Sequence, residues 1–212
     1  MENLTYILFI SMCIPLTMMS AMLEGKSRRL IIFMLLGITM CLLASELNPL
    51  LAYLISDDRA YITTNVTPIV EELLKAMPIL FYAYVFEEDR QSVLEVAMAV
   101  GIGFALLENA WILIKYMDSV SIVLAFIRGF GSALMHGVCC LFVGYGTSFI
   151  KVRKKLFYSG IFAMLSVAII YHSIYNSLVQ SAYPVVGIVL PIFTYIPLLI
   201  YLKCINTKVK LQ

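Results

Sequence analysis

The sequence predicts an all-α protein, a polytopic bundle of about seven transmembrane helices. Three observations predict it. The 212 residues are 62% hydrophobic and 13% charged, where soluble domains run at about 45–50% and about 25%. Mean hydropathy is +0.95. Charged and turn-forming residues divide the chain into apolar runs long enough to cross a bilayer. Together these exclude a soluble globular protein, a coiled coil and a disordered chain, which needs low hydrophobicity. A net charge of +2 is no field for nucleic acid. At roughly 20 residues per span there is no room for a soluble second domain, so residues 1–212 read as one integral-membrane domain.

Span one covers residues 4–23. Glu2, with no Lys or Arg before the apolar run, gives it the wrong flank for a signal peptide. Span two covers 30–46. The apolar piece 49–55 is too short to cross, and Pro49 removes a backbone donor, so it reads as interfacial or re-entrant. Span three covers 66–86, span four 93–114, and span five 120–150, which is long enough to tilt. Spans six and seven cover 156–180 and 184–203.

Loop charge sets the orientation. Lys26, Arg28, Arg29, Arg90, Lys151, Arg153, Lys154, Lys155, Lys203, Lys208 and Lys210 fall in alternate loops and the tail, and only Arg59 and Lys115 fall in the opposite loops. The positive-inside rule then puts the N-terminus outside and the C-terminus in the cytoplasm of a multi-pass cell-membrane protein. Cys13, Cys41, Cys139, Cys140 and Cys204 form no CxxC pair. They read as small apolar core residues, with no disulfide framework or zinc knuckle. No internal repeat is evident.

The ionisable residues inside spans are the exceptions. They are Glu71, Glu72, Lys75, Glu108 and Arg128, with both histidines, His136 and His172. A charge at a helix centre costs about 2.5–3.5 kcal/mol on insertion scales, so such residues pair, face the bundle interior or line a wet cavity. Glu71 and Lys75 are i,i+4, and Glu72 and Lys75 are i,i+3, so both pairs can meet. The adjacent glutamates point about 100° apart, so at most one aims directly at a given reacting atom. Arg128, Ser132 and His136 follow an i,i+4 row, as do His172 and Asn176. Ala97, Gly101 and Ala105 form a small-residue stripe leading to Asn109, where backbones can approach. Glu71, Glu72, Glu108 and His172 all fall about two turns below the outer surface. One cluster opening toward the outer half of the bilayer is expected.

Glu71-Glu72-x-x-Lys75, Phe104-x-x-x-Glu108-Asn109, His136-Gly137 and His172-x-x-x-Asn176 lie in order on spans three to six. In these motifs the chain resembles the PrsW family of intramembrane proteases, related at longer range to the CAAX prenyl protease and bacteriocin-processing superfamily. The resemblance implies cleavage of membrane-anchored single-pass proteins, typically anti-sigma factors at an extracytoplasmic first site. It also implies water activated by a glutamate with histidine help. Glu108 departs from the CAAX-type pattern, which has histidine there.

Peptide hydrolysis needs an activated water, an oxyanion stabiliser and a proton donor for the amine. Glu71 or Glu72 serves as general base, and the sequence does not choose between them. Lys75 orients the pair. His136 positions water or passes protons. His172 and Asn176 donate to the oxyanion, at about 3 kcal/mol per donor. Glu108 orients a histidine or acts as the second acid/base carboxylate. Arg128 reads as structural and Asn109 as an interhelical hydrogen-bonding residue. No cofactor is taken as required. A divalent metal such as zinc stays open, since two histidines and a glutamate can bind it, although HExxH is absent. The expected partners are a single-pass membrane protein and the lipid bilayer. The alternative function is a small proton-coupled secondary transporter or channel, because intramembrane Glu, His and Lys also build proton relays.

Overall fold

The structure, a computed structural model, describes residues 3–86, 89–119, 121–149 and 154–209. Glu2, Lys151, Arg153 and Lys210 lie outside the described residues, and so do the side chains of Lys154, Lys155, Lys203, Cys204 and Lys208. The described residues are helical, with no strand among them.

α1 (Leu4–Met22) and α2 (Gly25–Ile55) form the first hairpin. α3 (Arg59–Tyr61), capped by the Asp58 carboxylate, runs through a π-helical turn (Ile62–Val66) into α4 (Thr67–Val85). α5 (Arg90–Lys115) starts at Asp89, whose side chain accepts from the Ser92 N–H. α6 (Ile122–Ile127), a second π turn (Arg128–Ser132) and α7 (Ala133–Thr147) make up the fifth crossing. α8 (Lys154–Val179) and α9 (Pro184–Val209) complete the bundle.

Among the described residues, six helical stretches are long and apolar enough to cross a membrane. The other expected span is α4. Its 19 residues match α1 in length, but Glu71, Glu72 and Lys75 lower its apolarity. That polarity sends α4 to the centre of the bundle, against α2, α5, α7 and α8, because its charges cannot face lipid.

The piece 49–55 is a correction to the sequence reading. It is no separate segment, because α2 continues through Pro49 to Ile55 over 31 residues. Pro49 deletes one backbone hydrogen bond, yet neighbouring structure tolerates such a break in a membrane helix. At 1.5 Å per residue α2 is about 46 Å long, well over the roughly 30 Å of bilayer hydrocarbon.

Packing in the inner half joins Ile79, Val96, Val100, Cys139 and Val143 of α4, α5 and α7. A second cluster in the outer half joins Ile38, Cys41, Leu74, Phe104 and Leu107, with α1 laid against it. Helices in lipid gain little from hydrophobic burial between them and rely on close packing. α2 and α5 achieve it through Gly37 and Gly103, where an added Cβ would collide with the carbonyls of Val100 and Met34. Cys41, Cys139 and Cys140 are buried and free, and Cys13 is half-buried and free.

Candidate active site

α4 carries two adjacent glutamates that diverge, as helical geometry requires. Glu72 is fully buried. Its Oε1 accepts from Lys75 Nζ at 2.5 Å and lies 2.7 Å from His172 Nδ1 on α8. Glu71 turns instead toward α2, where Asn48 Nδ2 donates to its Oε1 at 3.3 Å. Its Oε2 is buried without a hydrogen-bond partner and lies 3.9 Å from His172 Nε2. Of the two spacings that allow a pair with Lys75, the i,i+3 one forms the ion pair.

Lys75 extends the chain of contacts to α7, with Nζ 2.8 Å from His136 Nδ1. An ammonium can only donate, so Nδ1 accepts and His136 Nε2 carries the proton. That nitrogen is 2.9 Å from Glu108 Oε2 on α5. The same Oε2 accepts from Ser132 at 3.4 Å and lies 3.7 Å from Arg128. The Arg128, Ser132, His136 row therefore converges on one carboxylate, even though the π turn interrupts its helical period. Gly101 makes room for this arrangement, because a Cβ there would meet the His136 carbonyl oxygen at 2.6 Å.

Asn176, expected at the oxyanion, has another partner, whereas Asn109 makes the interhelical hydrogen bond expected of it. Asn176 Nδ2 donates to the Thr63 carbonyl at 2.9 Å, and Asn109 Nδ2 donates to the Arg128 carbonyl at 3.2 Å. Both carbonyls belong to π turns. A π turn widens the i→i+4 ladder, and each asparagine ties a neighbouring helix to such a carbonyl. Asn109 also accepts from Arg128 Nε at 3.2 Å.

The sequence reading missed Asn48. It precedes a proline and resembles a turn residue, yet it lies on α2, touches Glu71 and leaves its own Oδ1 buried without a partner. Only the continuation of α2 past Pro49 brings it to the site.

A cavity of about 230 Å³ is walled by Glu71, Glu108, Phe104, Asn48 and Trp111, among others. Glu108 keeps 25% of its side chain exposed and Glu72 none. Glu71 and Glu108 are thus the carboxylates at the cavity, and Glu72 stands behind them. A wider cavity of about 690 Å³ adjoins at the outer end and shares Asn48, Pro49, Trp111 and Ile112 with the first.

Atoms of Glu71, His136 and His172 come within 4.8 Å of one another. One carboxylate and two imidazoles make a donor set suited to a divalent metal such as zinc, and the unpartnered Glu71 Oε2 is an orphan acceptor that a cation would satisfy. These residues fit a metal, with His136 exchanging one of its two present partners.

A multi-span bundle that walls such a cluster from lipid, beside a cavity that widens toward one end of the bundle, is the frame of a membrane-embedded hydrolase. A model of the family described as PrsW family intramembrane metalloprotease matches residues 26–202. The chain belongs to that family and is a membrane protease. No curated protein and no solved structure gives a significant match.

Proposed function

We propose that the protein is an endopeptidase that hydrolyses single-pass membrane proteins near the extracytoplasmic face, with Glu71 as the carboxylate that meets the attacking water. The observation that carries this is the gap between Glu71 Oε2 and His172 Nε2. They are 3.9 Å apart, and the carboxylate oxygen has no hydrogen-bond partner. A water or a cation between two such acceptors would satisfy both.

The chain's own residues then divide the work. Glu72 Oε1 accepts a hydrogen bond from His172 Nδ1–H, which leaves the Nε2 lone pair turned toward Glu71. Lys75 balances Glu72 and donates to His136 Nδ1, which fixes the His136 Nε2 proton on Glu108. Glu71 Oε2 holds the water and accepts its proton. Glu71, at the same cavity, can then return that proton to the leaving amine, while Glu108, held in place by Arg128 and Ser132, orients His136. Glu71, His136 and His172 are the residues that would hold a metal. Such an ion supplies, when bound, polarisation of the carbonyl and a more acidic water.

The family resemblance supports the finer reading that the substrate is an anti-sigma factor and that its first, extracytoplasmic cleavage starts a stress response. The deciding experiment reconstitutes the purified protein in liposomes with a single-pass peptide substrate. Cleavage is expected from the wild type and a loss of at least about a hundredfold from Glu71→Gln. Full activity in both Glu71→Gln and Glu72→Gln, with normal expression, would end this mechanism.

A further inference from the structure

We propose that the outer cavity is a docking site for acidic residues in the extracytoplasmic stretch that follows a substrate's membrane span. The proposal rests on the proteolytic reading and names a feature of the substrate.

Of the chain's 15 Lys and Arg residues, only Arg59, which opens α3, and Lys115, which ends α5, fall at the outer ends of the spans. Both line this one cavity of about 690 Å³. Arg128, an intramembrane cation, lines it too. Arg128 is balanced by Glu108 at 3.7 Å, whereas Arg59 and Lys115 make no ion pair among the described residues. Lys115 instead lies 4.4 Å over the Trp111 ring, which holds the ammonium at the wall common to both cavities. Asp57 is the one acid among the described residues that line it. The lining therefore carries more Lys and Arg than acid, on the side where the loops hold no other Lys or Arg. A volume of this size suits a short peptide segment or a small ligand.

Position favours the substrate over a lipid headgroup. The mouth shares a wall with the inner cavity that holds Glu71 and Glu108. A headgroup seated there would obstruct the path a peptide must take. An acidic segment seated there would lead the adjoining peptide bond toward the carboxylates.

The test reads binding, so that it stands apart from catalysis. The full chain carrying Glu71→Gln is placed in nanodiscs of zwitterionic lipid. It is titrated with labelled single-span peptides bearing four Asp, four Ser or four Lys on the outer side. The Asp peptide is expected to bind about five- to tenfold more tightly than the Ser peptide, and the Lys peptide most weakly. The preference should shrink as salt rises from about 0.1 to about 1 M, where the screening length falls from about 10 to about 3 Å. Arg59→Gln with Lys115→Gln should erase the preference and leave Ser-peptide affinity unchanged, whereas Arg59→Lys with Lys115→Arg should keep it. Equal affinities for the three peptides would overturn the proposal, as would a preference that survives in the double Gln variant. It also falls if anionic lipid in the disc abolishes the preference, since the mouth is then a headgroup site. A wild type that binds with this preference but cleaves nothing would overturn the proteolytic reading instead.

Discussion

Lys75 Nζ lies 2.8 Å from His136 Nδ1 and 2.5 Å from Glu72 Oε1, and all three side chains are buried. One ammonium joins α4 to α7. Removing one member of a buried pair strands the other, at about 3–5 kcal/mol. Lys75→Met should destabilise the protein by that order in detergent unfolding. Adding Glu72→Gln should recover much of the stability and none of the activity. A Lys75→Met protein as stable as the wild type would show that the ammonium is not needed there.

Glu71 and Glu72 should separate in metal binding. Glu71→Gln removes a candidate ligand, whereas Glu72→Gln removes the group that orients His172, a loss that typically costs 10–100-fold in affinity. Zinc titration of the purified variants should rank wild type above Glu72→Gln and Glu72→Gln above Glu71→Gln. Chelation should abolish cleavage, and added zinc should restore it. Cleavage that persists after complete metal removal would leave Glu71 acting alone as general base.

Asn176 should matter for stability more than for chemistry. Its amide satisfies the half-buried Thr63 carbonyl, and an acceptor left bare costs about 1–3 kcal/mol when fully buried, with the low end fitting here. Asn176→Ala should lower stability by about that much and kcat by only a few-fold. A hundredfold fall in kcat with unchanged stability would return Asn176 to the oxyanion role suggested by its i,i+4 relation to His172.

Gly37→Ala places a methyl group against the Val100 carbonyl. Overpacking of this kind costs about 1–3 kcal/mol. Since α2 also brings Asn48 to Glu71, the variant should lose both thermal stability and activity. Gly129→Ala, where a Cβ meets nothing within 4 Å, should lose neither.

Asp89 offers a pH-dependent control far from the site. Burial raises its carboxyl pKa, but the Ser92 backbone N–H and hydroxyl outweigh that and hold it below the usual aspartate value. A lowered folded value means the stabilisation is present above the unfolded aspartate range, near 3.9, and is lost as pH falls through the folded value. Asp89→Ala should cost about 1 kcal/mol at neutral pH, and the difference should vanish on strong acidification.

Much of this was legible in the sequence because membranes punish exceptions. Glu71, Glu72, Lys75, Glu108, His136 and His172 stood out as ionisable residues in apolar runs, and the structure gathers them from four helices. The i,i+3 and i,i+4 spacings left the partner of Lys75 open, because rotamers choose between them and periodicity does not. The two π turns left no mark in composition, so Asn176, which satisfies the Thr63 carbonyl, looked like an oxyanion donor, whereas Asn109 was read as the interhelical hydrogen-bonding residue it is. Pro49 read as a terminator because local rules favour that. Packing of α2 against α5 carries the helix through it, and Asn48 became visible only then.

The length of α2 also works as a ruler. Arg29 marks its inner, basic end, and Asn48 stands nineteen residues further along the same helix. For an upright helix that is about 28 Å of rise, almost the whole depth of the oily layer. Asn48 holds Glu71, so the carboxylate proposed to meet water sits close to the outer limit of that layer. The peptide bond to be cut then need not be dragged to the bilayer midplane. It has only to unwind at the surface, where water is already at hand.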